Sequence, residues 1–364
     1  MELSHQVTTV AAPAQGLISR SAYNISLITL NSIQACISML GLITNVINIK
    51  IFLAMRAFDD GVTLTLLLLS VSDLCVCFVA AGISMSAFLH SQETKWLTQI
   101  IFNADSTGQS QTSGFFFPVE PTYIAIVGHH TFQIFNLITI LLTIYLAVAR
   151  CLCVMYPFKF RNIITVRKTL LVSAIFFITS LGIRLPLITH SGVALKFDPR
   201  INSTRYKLWV HPNRETIKDA LWIYVDSPVS VGAQITLSVC IVIMVKVLRA
   251  AADFRSKASA ANDTETDRDD SKEKLTPKDA RIIKQLFLVS SIFIICNTPK
   301  LLTFLTAAIE PDYDLGGRYQ NLYQISVSVL VLFDTINSSL NMFVYYFYNA
   351  KFKSTLTNKT VRSR

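Results

Sequence analysis

Seven stretches of this chain are predominantly apolar, at residues 25–54, 62–89, 123–156, 169–189, 222–248, 282–308 and 322–348, and polar residues crowd the intervals between them. Each holds about twenty apolar residues or more, enough for a helix to cross roughly 30 Å of hydrocarbon. The pattern predicts an all-α membrane protein, a seven-transmembrane helix bundle. Directly after the last stretch, Tyr348-Asn-Ala-Lys351-Phe352-Lys353-Ser-Thr-Leu356 alternates charge and apolar residues at helical spacing. It predicts a short amphipathic eighth helix lying on the membrane surface. The expected organisation is an N-terminal segment 1–24, a bundle 25–348 and a tail 349–364. Long connections are expected at 90–122 and 190–219 on one side, and a flexible one at 251–280 on the other.

Composition agrees with lipid as the solvent. Apolar residues make up 52% of the 364, charged residues 15%, and mean hydropathy is +0.47, too greasy for a water-facing surface. Lys and Arg set the expected orientation. Arg150, Lys159, Arg161, Arg167 and Lys168, and the tail residues Lys351, Lys353, Lys359, Arg362 and Arg364, stand without acids among them and mark the cytoplasmic side. Glu93, Asp105 and Glu120, and then Glu310, Asp312 and Asp314, mark the outside; the basic connection 190–219 dissents. Glycosylation sequons at Asn24 and Asn202 fall on that outer side. Residues 1–20 lack a charged start followed by an apolar run, so the first span is expected to serve as the insertion signal. The net charge of +10 gathers at membrane edges, which suits anionic lipid and not nucleic acid. The seven cysteines lie within or at the ends of spans, so no disulfide and no metal site are expected.

Polar residues inside the spans carry the chemistry. Asn45, Asp73, Asn337, Ser338 and Asn341 are costly in hydrocarbon unless they meet partners, and Thr139 is placed to join them. Two readings stand side by side: a hydrogen-bonded knot locking helices, or a knot that also holds a sodium ion at Asp73. Arg150 at the end of the third span is either a snorkelling cation or a switch. No nucleophile with a base, phosphate loop or metal-ligand set suggests an enzyme. A transporter or channel would call for repeat symmetry or a continuous polar path, and neither is visible.

The run Ala149-Arg150-Cys151 at the end of span three, Pro228 in span five, Cys296-Asn297-Thr298-Pro299 in span six and Asn341-Met-Phe-Val-Tyr345 in span seven complete a recognisable series. With Asn45 and Asp73, they resemble a rhodopsin-like (class A) G-protein-coupled receptor on six of seven helices in order. The wording around Arg150 and Asn341 is similar to molluscan chemosensory-type and peptide receptors. The resemblance implies an extracellular peptide or small-molecule ligand and a heterotrimeric G protein as partners. It also implies an activation core of Pro228, Ile140, Phe293, Asn297 and Pro299, whose rearrangement tilts helix six outward. Arg150, Asp279 and Tyr345 would form the G-protein switch, with Arg150 and Asp279 as a resting latch. Ala149 stands where the family has an acid, and raised basal activity is expected from it. Asn297 replaces a Trp, Thr236 a Tyr and Met342 a Pro; span four lacks its usual Trp.

Ala125 replaces the family's third-helix Cys, and residues 190–219 contain none. A mobile lid or a different fold over the pocket is therefore expected. Phe132 offers no carboxylate to an amine, and Thr335 stands where an opsin has its lysine. Arg184, Lys300 and Asp334 are deep charges. Lys300 with Asp334 forms an internal pair, or Lys300 or Arg184 receives a carboxylate or amide of the ligand. Phe132, Gln133, Asn136, Asn297 and Phe304 either line that pocket or pack. His129 and His130, being adjacent, face different sides of their helix; a shared metal is not expected, and the two readings are an ordinary polar helix end and an outward-facing role in pH sensing.

Overall fold

The computed structural model describes residues 17–107, 117–156, 164–198, 203–262, 277–314 and 317–362. Seven helices are long and apolar enough to cross a membrane. They are α1 (Arg20–Ala54), α2 (Gly61–Thr107), α3 (Pro121–Met155), α4 (Val166–Thr189), α5, α6 (Pro277–Ile309) and α7 (Gln320–Tyr348). Helix α5 is continuous through Arg214–Leu221, a π-helical segment Trp222–Asp226 and Ser227–Asn262. An eighth helix, α8 (Ala350–Arg362), follows α7 directly.

Local chemistry sets the starts. Ser19 Oγ accepts from Ala22 N at 3.3 Å and Asp60 Oδ2 from Thr63 N at 2.9 Å. Thr165 Oγ1 accepts from Lys168 N at 3.4 Å, and Asn349 Oδ1 from Phe352 N at 3.0 Å. Each satisfies a donor that the first helical turn would otherwise leave open. Pro121 opens α3, where its missing N–H costs nothing.

Helix α2 packs on α1 and α3, α7 returns against α1, α2 and α6, and α5 fits between α3 and α6. The outer face of the bundle is apolar, unlike that of a soluble protein, and the interior holds polar side chains among its apolar packing. In α4 the buried residues are Thr169, Ser180, Arg184 and Leu187, while Leu171, Ile175, Ile178 and Leu185 are exposed. Lipid solvates the apolar face, so polar side chains must find one another inside. At Gly41 the backbones of α1, α2 and α7 come so close that a Cβ would overlap Cys77 Sγ and Ser339 Oγ.

Helices run past the apolar windows. Helix α2 continues to Thr107, so half of the connection expected at 90–122 is helical. Helices α5 and α6 enter the 251–280 connection from both sides, as far as Asn262 and back to Pro277. Hydropathy locates the part of a helix that meets lipid and is blind to its continuation into water. The connection 190–219 takes the second of its two expected forms, a fold of its own in place of a mobile lid. It folds into an antiparallel hairpin, β1 (Ser191–Asp198) with β2 (Ser203–Val210), in register from Ser191↔Val210 to Asp198↔Ser203. Tyr206 N bonds Pro118 O at 3.1 Å and Glu120 N bonds Tyr206 O at 3.0 Å, tying β2 to the start of α3. Arg205 joins Asp198 at 2.9 Å and pairs with Glu93 of α2. Backbone and ionic ties therefore hold the hairpin where the family would use a disulfide; all seven cysteines are free.

Candidate functional site

Four helices meet at Asp73, which is fully buried on α2. Thr139 Oγ1 of α3 donates to its Oδ1 at 3.0 Å, and Asn341 Nδ2 of α7 to its Oδ2 at 2.7 Å. Thr139 also meets Ser72 Oγ at 3.0 Å. Asn45 of α1 donates to Ser338 O and to Gly41 O, each at 3.0 Å. Asn48 bonds Asn45 at 3.4 Å, and Ser339 Oγ bonds Thr335 O at 2.7 Å. Of the six polar residues singled out in sequence, five join this arrangement. Asn337 is half-buried and makes no side-chain hydrogen bond among the described residues. Ser338 enters through its carbonyl, which accepts from Asn45, and its buried hydroxyl lies beside Asp73. Asn48 and Ser339 are additions that the i+3 and i+4 spacing from Asn45 and Thr335 makes findable, whereas Ser72, adjacent to Asp73, joins through Thr139 and is not marked by that spacing.

Between α3, α5 and α6, Ile140 and Phe293 pack with Ala233, Leu237, Cys240 and Met244. Pro228 does not join them: it lies exposed on α5. The buried stripe of α5 runs Ser230, Ala233, Leu237, Cys240, Met244, and a residue two before Ser230 points to the opposite side of a helix. Ser227 N bonds Trp222 O, five residues back, a π turn that accommodates the helix just before a proline. Asn297 is buried and its Nδ2 donates to Ser230 O at 3.3 Å, joining α6 to α5. Pro299 lies inside α6, with Thr303 Oγ1 bonding its carbonyl at 3.0 Å.

At the end of the bundle that carries α8, Tyr345 is buried against Phe52 and Phe352, with ring centroids 5.3 and 5.8 Å away. Arg150 is half-buried, and no hydrogen bond or ion pair from a described residue reaches it; Ala149 beside it is buried. The Asp279 side chain, and with it the latch to Arg150, lies outside the described residues, as does Asn202. Asn24 is exposed near the start of α1.

Toward the hairpin end the deep charges are paired. Lys300 Nζ meets Asp334 Oδ2 at 2.9 Å, and Asn136 Nδ2 donates to the same oxygen at 2.8 Å, joining α6, α7 and α3. Arg184 of α4 pairs with Asp226 of α5. Beneath the hairpin lies a cavity of about 350 Å³ lined by α1–α5 and α7. Gln133 and Arg184 line it, while Asp226, Lys300 and Phe304 line a small recess next to it, which shares His129, Gln133, Trp222 and Val327 with the cavity. Asn136 and Asp334 are buried in their ion-paired cluster and line neither. Phe132 is fully buried against Val76, Ala80 and Val331, so it is packing and not pocket wall. The cavity face of α3 is Ala125, Ile126, His129, His130 and Gln133, a helical stripe that Phe132 falls off. Both histidines therefore line the cavity, in place of a plain polar helix end. Gln34, Arg214, Lys218, Trp222 and Tyr323 also line it. Arg214 and Lys218 precede the apolar part of α5 and share a face at i, i+4, a signal available only once the helix is known to begin there.

The knot and the ion-paired cluster are stacked. Asn136 and Thr139 are one turn apart on α3, as are Asp334 and Ser338 on α7, so the ion-paired cluster and the Asp73 knot rest on consecutive turns of the same two helices. A family model described as 7 transmembrane receptor (rhodopsin family) matches residues 127–345, well over half of the chain. No curated protein matches it.

Proposed function

Because the chain belongs to the rhodopsin family of seven-transmembrane receptors, we propose that it is a plasma-membrane receptor that takes a peptide or small-molecule chemosensory ligand into the cavity beneath the hairpin. Its partner at the other end is a heterotrimeric G protein. The distribution of Lys and Arg supports a cytoplasmic α8 and an outer hairpin.

The observation that carries this reading is the stacking of cavity, ion-paired cluster and knot. A ligand that favours one arrangement of the cavity walls acts on Lys300, Asp334 and Asn136, which share hydrogen bonds across α6, α7 and α3. The next turn down holds Asp73, Thr139 and Asn341. Ligand binding shifts the population of a bundle with α6 swung outward, pivoting near Pro299 above the Ile140–Phe293 packing. That movement opens the end near Arg150 and Tyr345. A sodium ion on Asp73, with the Thr139 and Ser338 hydroxyls as further oxygens, would favour the closed arrangement; the placement of both hydroxyls against Asp73 supports that donor set.

The test is nucleotide exchange on a panel of G proteins in membranes containing the full chain, with pools of peptides and small metabolites. Exchange that depends on ligand, and vanishes in Arg150→Ala at equal surface density, supports the reading. Exchange that persists unchanged in Arg150→Ala and in Asp73→Asn refutes it.

A further inference from the structure

The cavity walls divide sharply by chemistry. Ile83, Ile126, Leu187, Trp222 and Val327 supply apolar surface, and the charged side chains among the described lining residues are Arg184, Arg214 and Lys218, with no Asp or Glu. Arg184 is held by Asp226 through one nitrogen only; its Nε is buried with no partner. Arg214 bonds Ser191 Oγ at 3.0 Å and meets His130 Nε2 at 3.1 Å. An imidazole nitrogen that accepts from a guanidinium is unprotonated, so the His130 contact does not offset the positive charge of Arg214, whose paired acid is Glu215 at 2.8 Å.

Asp226, the acid of Arg184, is 11% exposed and lines the adjoining recess, whereas the acids that pair with Arg214 and Lys218 stand outside them. Arg214 and Lys218 are 9% and 12% exposed, whereas Glu215 is 46%, Asp219 52% and Asp314 34% exposed. Water weakens the acids at the rim, while the cationic ends act inside an apolar enclosure where charge is felt strongly. Guanidinium groups match a carboxylate by their planar fork. At about 350 Å³ the space sits at the small end of ligand pockets.

We propose that the cavity recognises an amphipathic carboxylate, an apolar body with one acidic head seated between Arg184 and Arg214: a small organic acid or the free C-terminal end of a peptide. The inference rests on the cavity being the ligand site of this receptor.

The test uses the full chain purified into phosphatidylcholine nanodiscs, with binding read as a rise in unfolding temperature. The probes are phenylbutyrate against phenylbutanamide, and N-acetyl-leucyl-phenylalanine with a free against an amidated C-terminus. Both acids are expected to stabilise the protein, each at least tenfold more potently than its amide, and the stronger acid identifies the source. Arg184→Gln and Arg214→Gln should weaken acid binding at least tenfold. Asp226→Asn removes the competing carboxylate from Arg184 and should strengthen it several-fold, a gain that misfolding cannot produce. Equal potency of acids and amides, no gain in Asp226→Asn, or no acid binding at millimolar concentration would overturn the proposal. Since no G protein is present, acid binding without nucleotide exchange in membranes would remove the receptor reading and leave the anion site standing. Equal exchange from acids and amides would do the reverse.

Discussion

Asn341 of α7 donates to Asp73 of α2 across 2.7 Å, two residues 268 positions apart in sequence and both inside the bundle. A carboxylate buried in a bilayer protein costs several kcal/mol unless charge-assisted donors surround it, so Asn341 and Thr139 are the reason Asp73 is tolerated. Asn341→Ala removes one donor and should cost about 1.5–3 kcal/mol, read as a lower unfolding temperature in nanodiscs. Asp73→Asn should lose less stability than Asn341→Ala, because it removes the charge along with the need for donors. Replacing potassium with sodium should raise the unfolding temperature of the wild type and leave Asp73→Asn unchanged; equal shifts in both would show that no sodium binds at Asp73.

Lys300 and Asp334 form a pair whose members are 7% and 10% exposed. Breaking such a pair strands a charge, at a cost of about 3–5 kcal/mol, whereas removing both partners often costs little. Lys300→Met should therefore express poorly, and Lys300→Met combined with Asp334→Leu should recover most of the lost surface density. Additive losses in the double variant would show that the two side chains act independently.

Seven crossings, their order and the Asp73 knot are legible in the sequence because hydrocarbon forces the issue: apolar runs must face lipid, and polar residues within them must converge. Which residues line the cavity is far less legible. Periodicity separates the lipid face from the interior, yet it does not say which interior residue meets a neighbour and which meets space. Phe132 packs against Val76 and Val331 while the adjacent Gln133 faces the cavity. Arg214 and Lys218 lie ahead of the apolar window that marks α5. The hairpin carries its alternation openly in Val193, Leu195 and Phe197, but a pair of strands needs partners to be stable, and Pro118, Glu120 and Glu93 are far away in sequence.

Those partners make the hairpin testable. Arg205 is 8% exposed on its side chain and links β2 to Asp198 and to Glu93 of α2. Arg205→Ala strands the buried Glu93 carboxylate and leaves Asp198 to Lys207, 3.1 Å away. Hydrogen exchange at 191–198 and 203–210 should accelerate by at least about tenfold, the equivalent of ~1.4 kcal/mol in local opening, with α3 and α7 unchanged. Equal protection in the variant would assign the hairpin's order to its backbone bonds with Pro118 and Glu120 alone.

Gly41 reports on the packing of α1. Alanine there would drive its methyl into Cys77 Sγ and Ser339 Oγ, the place where Thr44 and Asn45 reach across to α7. Overpacking of this kind costs about 1–3 kcal/mol. Gly41→Ala should reduce surface density, and Gly41→Ala combined with Cys77→Gly should restore part of it by making room on one side.

Signalling in the absence of ligand is expected to depend on Ala149 and Arg150. Ala149 is 1% exposed, and no described carboxylate holds Arg150, so the guanidinium is free of the restraint that an acid at position 149 would supply. The bundle should accordingly exchange nucleotide on its G protein without ligand. Ala149→Asp would bury a carboxylate, which is tolerated only if Arg150 neutralises it, so a variant that folds has formed the restraint. Its basal exchange should fall several-fold relative to wild type at equal surface density, while the response to saturating ligand persists. Asn in place of Asp at the same position has the size without the charge and should leave basal exchange near the wild-type level. Equal basal exchange in the wild type and Ala149→Asp would show that Arg150 is restrained by something other than a neighbouring acid.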